Sequence, residues 1–249
     1  MYRFWVLGII GITLSGGSAC AADMTTKAPP VVEPIISSWT GFYGGANIGY
    51  SWGRLHADHF LFGTPISNDT TNPIGVIGGG QLGFNWQTAH LLLGIETDFQ
   101  GSAEEASNTL VVCPASNPIC GGQVTVAHTD KLVQFGTTRG RIGYVLDRWM
   151  VYGTGGVAYA KFDSTAFGIC VPGPCLVPSP INTVVHKNGW VAGAGLETAL
   201  TKSWSLKLEY LHIDYGTISV TNSTTGENVR DRGTDDMLRA GINYRFNVN

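Results

Sequence analysis

The stretch GFYGGANIGYSWG, Gly41 to Gly53, alternates without a break. Phe42, Gly44, Ala46, Ile48, Tyr50 and Trp52 fall on one side, and Tyr43, Gly45, Asn47, Gly49 and Ser51 on the other. Period two held over this length is a β-strand. The same test predicts seven more, at about 74 to 87, 90 to 100, 131 to 146, 149 to 163, 188 to 200, 203 to 215 and 234 to 246. In the third, Leu91, Leu93, Ile95, Thr97 and Phe99 oppose Leu92, Gly94, Glu96, Asp98 and Gln100. In the seventh, Trp204, Leu206, Leu208 and Tyr210 oppose Ser205, Lys207 and Glu209, and the phase then slips at Leu211 and Ile213, as a bulge would cause. The fifth is rich in glycine and its facing is ambiguous.

The connections sort by length. Those after strands two, four and six need few residues, whereas those after one, three, five and seven are long, at about 53–73, 101–130, 164–187 and 216–233. Alternating long and short loops predict an all-β, closed, antiparallel up-and-down transmembrane barrel of about eight strands over residues 41–246, with tight periplasmic turns and extended outer loops. Tryptophan supports the same orientation, because its ring is apolar and its N–H is not, which suits the headgroup level. Trp86, Trp149 and Trp204 flank the three short turns and Trp39 precedes the first strand, so the four are expected to form one aromatic girdle.

Composition agrees. Only 13% of residues are charged, where about 25% is usual for a soluble domain, and 34 of 249 are glycine. A lipid-facing wall explains both. The net charge of −3 and the lack of a basic run give no footing for nucleic acid. Arg3, the apolar run from Phe4 to Ile12 and the small residues up to Ala22 read as a cleaved signal peptide over 1–22. That run is too short for a helical span of roughly 20 residues. Cys20 raises lipidation as a rival, but Gly17 stands where an aliphatic residue is wanted. Residues 23–40, with Pro29, Pro30 and Pro34, read as a flexible leader that packs little.

Four cysteines follow in two close pairs, Cys113 with Cys120 and Cys170 with Cys175, both in long loops. In an oxidising compartment each pair is a disulfide candidate. Free thiols or zinc are the competing readings, although neither spacing is the two-residue gap of a zinc ribbon.

Two segments resemble the small outer-membrane β-barrel proteins of alphaproteobacteria, the porin-family or OmpA-like eight-stranded barrels. WTGFYGGANIGYSWG at Trp39 to Gly53 is similar to that family's first strand, and TTRGRIGYVLDRWMVYGTGGVAYA at Thr137 to Ala160 to its central hairpin. The resemblance spans nearly the whole chain and implies integral location in the bacterial outer membrane. The last strand resembles the signal read by the barrel-insertion machinery, with Arg239, Gly241, Tyr244 and Phe246 in order, although Asn247, Val248 and Asn249 follow.

A barrel of about eight strands is just wide enough for side chains to fill it. Its inward faces are expected to carry Glu96, Asp98, Arg139, Arg141, Glu197, Lys207, Glu209, Arg239 and Arg245, four acids against five bases, together with Asn47, Gln81, Asn85 and Asn243. Charges removed from water must pair, so these predict a structural ion-pair network and no catalytic site, cofactor or metal. Glu96 and Asp98 as an acid and base pair is the sharper but less economical reading. His56 and His59 form an H-x-x-H without a recognisable third ligand, and His212 has no serine partner that the sequence can place. The expected function is that of a structural surface protein supporting membrane integrity and contact with lipopolysaccharide or host molecules. Arg54, Lys161, Lys187, Arg230 and Arg232 are the candidate phosphate contacts. The alternative is a small porin-like transporter or a surface barrel capturing haem or another ligand, and a lipid-modifying barrel enzyme stands third.

Overall fold

The computed structural model describes residues 38–61, 64–113, 123–171, 181–222 and 227–246. The expected signal peptide, the leader up to residue 37, Cys120 and Cys175 lie outside them. Cys113 and Cys170 are placed only as strand residues, so the disulfide candidates remain expectations.

Nine strands form a single antiparallel sheet: β1 (Gly41–Leu61), β2 (Thr64–Thr71), β3 (Ile74–Thr88), β4 (Leu91–Cys113), β5 (Gln123–Leu146), β6 (Trp149–Val171), β7 (Ile181–Ala199), β8 (Trp204–Asn222) and β9 (Glu227–Arg245). Each of β3 to β8 pairs with the next, β3 also pairs with β1, and β9 returns to β1, which closes the barrel. Over the height of β3, closure leaves no free edge in the wall. Nine strands make eight staves because β2 and β3 are one stave with a break. Both run antiparallel to β1, β2 against Leu55 to Leu61 and β3 against Gly41 to Trp52. Pro73 has no N–H for the ladder, and its carbonyl instead accepts from Gly53 N at 2.8 Å.

Two of the short turns, Ala89–His90 and Asp147–Arg148, begin with a residue in the left-handed region, at φ 52° in both Ala89 and Asp147. Such turns match the twist of the strands they join. The outer ends differ from expectation. Much of the four long connections is strand, for β1, β4, β5, β6 and β7 all run well past the lengths that alternation alone suggested.

The reason is a reversal of polarity along each stave. In the lower part the outward residues are apolar, as with Leu93, Ile95 and Phe99 on β4 or Leu206, Leu208 and Tyr210 on β8, and the inward ones are polar. Above that band the outer wall turns polar. Glu105 pairs with Lys131 at 3.0 Å, Ser107 bonds Thr129, and Arg232 meets Asp214. The inside becomes apolar instead, with Leu132, Phe135, Phe162, Leu211, Ile213 and Met237 in one cluster. Leu211 and Ile213 are therefore not out of phase. The β8 ladder runs unshifted from Trp204 to Asp214, and its bulge lies later, between Asp214 and Thr217. What reads as a slip is an inward face that has left the polar section of the interior.

Position within this band predicts tolerance. Ile95→Arg, at mid-height on the outer wall, should cost about 2–4 kcal/mol of unfolding free energy in lipid vesicles. Ser107→Arg, on the same strand above the band, should stay within about 0.5 kcal/mol.

Candidate functional site

The expected inward residues do meet inside the barrel. Arg139, on β5, contacts Glu96 and lies 2.9 Å from Asp98 Oδ2 and 3.1 Å from Glu209 Oε1. Arg239, on β9, reaches Asp98 at 2.8 Å and Glu209 at 2.6 Å. Lys207 Nζ sits 3.0 Å from Glu96, and Arg141 bridges Glu96 and Glu197 at 3.4 Å each. Four acids and four bases thus join β4, β5, β7, β8 and β9 across the lumen, all nearly or wholly buried. Neutral groups finish the network: Ser205 and Asn243 donate to Glu197, and Gln81 links Asn47 to Asn243.

Two tyrosines hold Arg141 in place. Its guanidinium lies 4.8 Å from the Tyr43 ring and 5.0 Å from the Tyr152 ring, between β1 and β6. Each ring covers a glycine of a neighbouring strand, Tyr43 over Gly83 and Tyr152 over Gly195, where a Cβ would strike the ring. The hydroxyls donate at 2.8 Å to Glu96 and Glu209. The sequence marks Gly83 and Gly195 only as glycines, and no local pattern ties either to its tyrosine.

Two expected residues stand elsewhere. Trp39 is 1% exposed and so is not part of an outward girdle. It lies at the inner mouth, with Arg245 over its ring at 4.5 Å and a cluster that includes Leu92, Val145 and Met150. Arg245 is accordingly not a member of the ion-pair network. It donates to the carbonyls of Thr201 and Lys202 on the turn before β8. The last residues of the expected leader are therefore packed, and Trp39 N donates to Gln87 while Thr40 Oγ1 accepts from Gln87 N. The physical reason is that a wide barrel end must be filled, and a large apolar ring stacked on a guanidinium fills it.

Trp86, Trp149 and Trp204 do face outward at the turn end, where Tyr244 packs against both Trp204 and Phe246. A second ring of outward aromatics, which sequence reading missed, marks the other edge of the band: Tyr50, Trp52, Phe99, Tyr159, Trp190 and Tyr210. Tyr159 stands ten residues along β6 from Trp149 and Tyr210 six along β8 from Trp204, a spacing visible once the registers are known. Just above them Asp236 accepts from Tyr210 at 2.5 Å and bonds His212 Nδ1 at 2.7 Å, and Trp190 tilts against His212. His56 is held by Thr70 and Asp58 on the β1–β2 hairpin. Of the candidate phosphate contacts, Arg54 and Arg232 lie on the outer wall, but Lys187 is buried inside, over the Phe162 ring.

Because the network is buried, breaking it should be costly. Arg139→Met, which strips a partner from Glu96, Asp98 and Glu209, should lower unfolding free energy in detergent micelles by about 3–5 kcal/mol. Adding Asp98→Asn should restore part of the loss, and no measurable loss in the single variant would refute the pairing.

Comparison with known proteins matches this architecture. Residues 13–246 match the family model described as the outer membrane protein beta-barrel domain. The chain is 36% identical over 242 residues to the 31 kDa outer-membrane immunogenic protein of Brucella melitensis, covering 92% of this chain and 94% of that one. It is 28% identical over 187 residues to the 22 kDa outer membrane protein of Rhizobium leguminosarum bv. viciae, covering 74% and 67%. Among solved structures, the attachment invasion locus protein Ail of Yersinia pestis aligns over 83% of this chain and 99% of its own, with 14% identity and a TM-score of 0.36. With a closed eight-stave barrel, an apolar outer band and a family match over nearly its whole length, the chain belongs to the outer membrane protein beta-barrel family and is a surface protein of the bacterial outer membrane.

Proposed function

We propose that this protein is a sealed membrane anchor that strengthens the outer membrane and presents its outer strands to lipopolysaccharide and to host molecules, with no enzymatic role. The observation that carries this reading is the ion-pair network across the lumen. Arg139, Arg239, Lys207 and the four carboxylates occupy the space that a solute would need. In contrast to an open channel, every one of these charges has an opposite charge as its neighbour.

Support for the lipopolysaccharide contact comes from the second aromatic ring with Arg54 and Arg232 above it. Aromatics at the headgroup level and cations beside phosphates are a favourable combination. The name of the Brucella relatives, outer-membrane immunogenic protein, supports exposure to a host. The final strand supports recognition by the barrel-insertion machinery, since Tyr244 and Phe246 face outward where a folding partner meets them, with Gly241 and Arg239 inside the wall.

Two measurements test this. Folded protein in a planar bilayer should give no steady conductance steps, and reproducible steps would establish a pore instead. Arg54→Ala and Arg232→Ala should each reduce co-purifying lipopolysaccharide about five-fold, on the basis of about 1 kcal/mol per cation at an anionic surface. Unchanged retention in the double variant would remove these arginines from the contact.

A further inference from the structure

Above the balanced network lies a pair of acids with a different setting. Glu104 on β4 and Asp235 on β9 both face inward and are 2% exposed, beside the apolar cluster of the outer section. Between them stands Ser51 of β1, fully buried. Its Oγ donates to Asp235 Oδ1 at 2.5 Å, with the Asp236 carbonyl at 3.3 Å, and Ser51 pairs with Gly75, whose Cα lies against the Glu104 backbone, so Ser51 and Glu104 share one inward row. On its far side Glu104 accepts from Ser102 Oγ at 3.1 Å. A serine hydroxyl has one proton. Once it has donated to Asp235 it can only accept from Glu104, and Glu104 can donate only as a carboxylic acid.

The place where this chain of bonds sits is the weakest part of the wall. The β3–β4 ladder pairs Ile77 with Ser102 and next Ile74 with Glu105, so Gly75 and Val76 are skipped. Beyond Pro73 the stave is carried by β2, which pairs with β1, and among the described residues no ladder joins β2 to β4. Glu104 keeps the inward phase of Glu96, Asp98 and Gln100 and lies at the foot of that seam, where the β4–β5 pairing shifts between Gly101 and Glu104. Gly75 permits the approach, since a Cβ there would meet the backbone of Ala103 and Glu104.

We propose that Glu104, Ser51 and Asp235 form a proton-loaded clasp that holds β4 to β1 and β9 across the seam beside β2, and that loss of the Glu104 proton releases it.

The electrostatic surroundings support a bound proton. Burial, with the Asp235 carboxyl facing it, pushes Glu104 up to about 8, and burial pushes Asp235 up to about 6. Tyr215 of β8 faces both acids, its hydroxyl buried without a partner, and burial beside them keeps it protonated. Asp236 and His212 act on Asp235 from the outer wall. Lys187 of β7, the inward cation of this section, is held over Phe162 and faces Asp130 and Asp231. β5 and β6 contribute the neutral Leu132 and Phe162. Because both acids bind protons more tightly folded than unfolded, their contribution is complete below their unfolded values near 4 and is lost as pH rises through about 6 and then about 8.

Hydrogen exchange on the full folded chain in detergent, corrected for intrinsic rates at each pH, tests the clasp. In the natural protein, protection of residues 64–71 and 102–106 should fall at least ten-fold between pH 6 and pH 9.5, while residues 91–99 keep theirs. Glu104→Gln cannot ionise, so its protection should stay flat over the same range. Ser51→Ala, which breaks the bridge without touching a charge, should show at pH 6 the low protection that the natural protein shows at pH 9.5. A fall of equal size in Glu104→Gln, no fall in the natural protein, or full protection in Ser51→Ala overturns the proposal.

Discussion

Pairing of β9 with β1 is the constraint from which the rest follows. In lipid no water is available for an unpaired N–H or carbonyl, so the sheet must close on itself. Nineteen residue pairs from Tyr43↔Arg245 to Leu61↔Glu227 make that closure. Closing with eight staves fixes the bore, and a bore of this size is filled by side chains. Everything inside is then a question of what filling costs least. Arginine and carboxylate are poor fillers singly and acceptable ones in a satisfied cluster, because the desolvation of each is offset by several short contacts to the others. Tyr43 and Tyr152 add to this by closing the faces of the Arg141 guanidinium that its in-plane donors leave bare.

The staves do not end where the membrane does. Within the lipid band the protein is apolar outside and polar inside, and above it the order is that of a soluble barrel, with Phe162, Leu132 and Tyr215 inside and Glu105, Lys131 and Arg232 out. Each face of a strand therefore changes its character along its length, and on β4, β8 and β9 it does so with no change in pleat. Hydrophobic burial, which has no role on the lipid side of the lower wall, stabilises the upper section in the ordinary way. Glu104 and Asp235 lie in this upper section, away from the cations of the lower one.

This change explains how much of the fold could be read from sequence. β1 was legible because its alternation coincides with lipid on one side and glycine or polar groups on the other. The stave count was legible from the turns. The lengths were not, since a reading that expects apolar residues outward takes Leu211 and Ile213 for an error in phase. The identity of the interior charges followed from inward phase alone, but their pairing did not: Arg239 and Asp98 are 141 residues apart in sequence. Trp39 was misplaced for a related reason. A tryptophan near a strand end suits a headgroup layer and a barrel mouth equally well, and only Arg245 beneath its ring separates the two.

The cross-lumen cluster also bears on how this barrel comes apart. Its members arrive on five different strands, and the pairs that join the β4–β5 share to the β7–β9 share, Arg139 with Glu209, Arg239 with Asp98 and Lys207 with Glu96, all cross the lumen. A half-assembled wall would hold stranded guanidinium and carboxylate groups against hydrocarbon, which makes every partly opened state much higher in energy than either end state. The same residues that contribute modestly to equilibrium stability thus raise the barrier to leaving the native state, and the persistence of the folded barrel is governed by rate more than by balance.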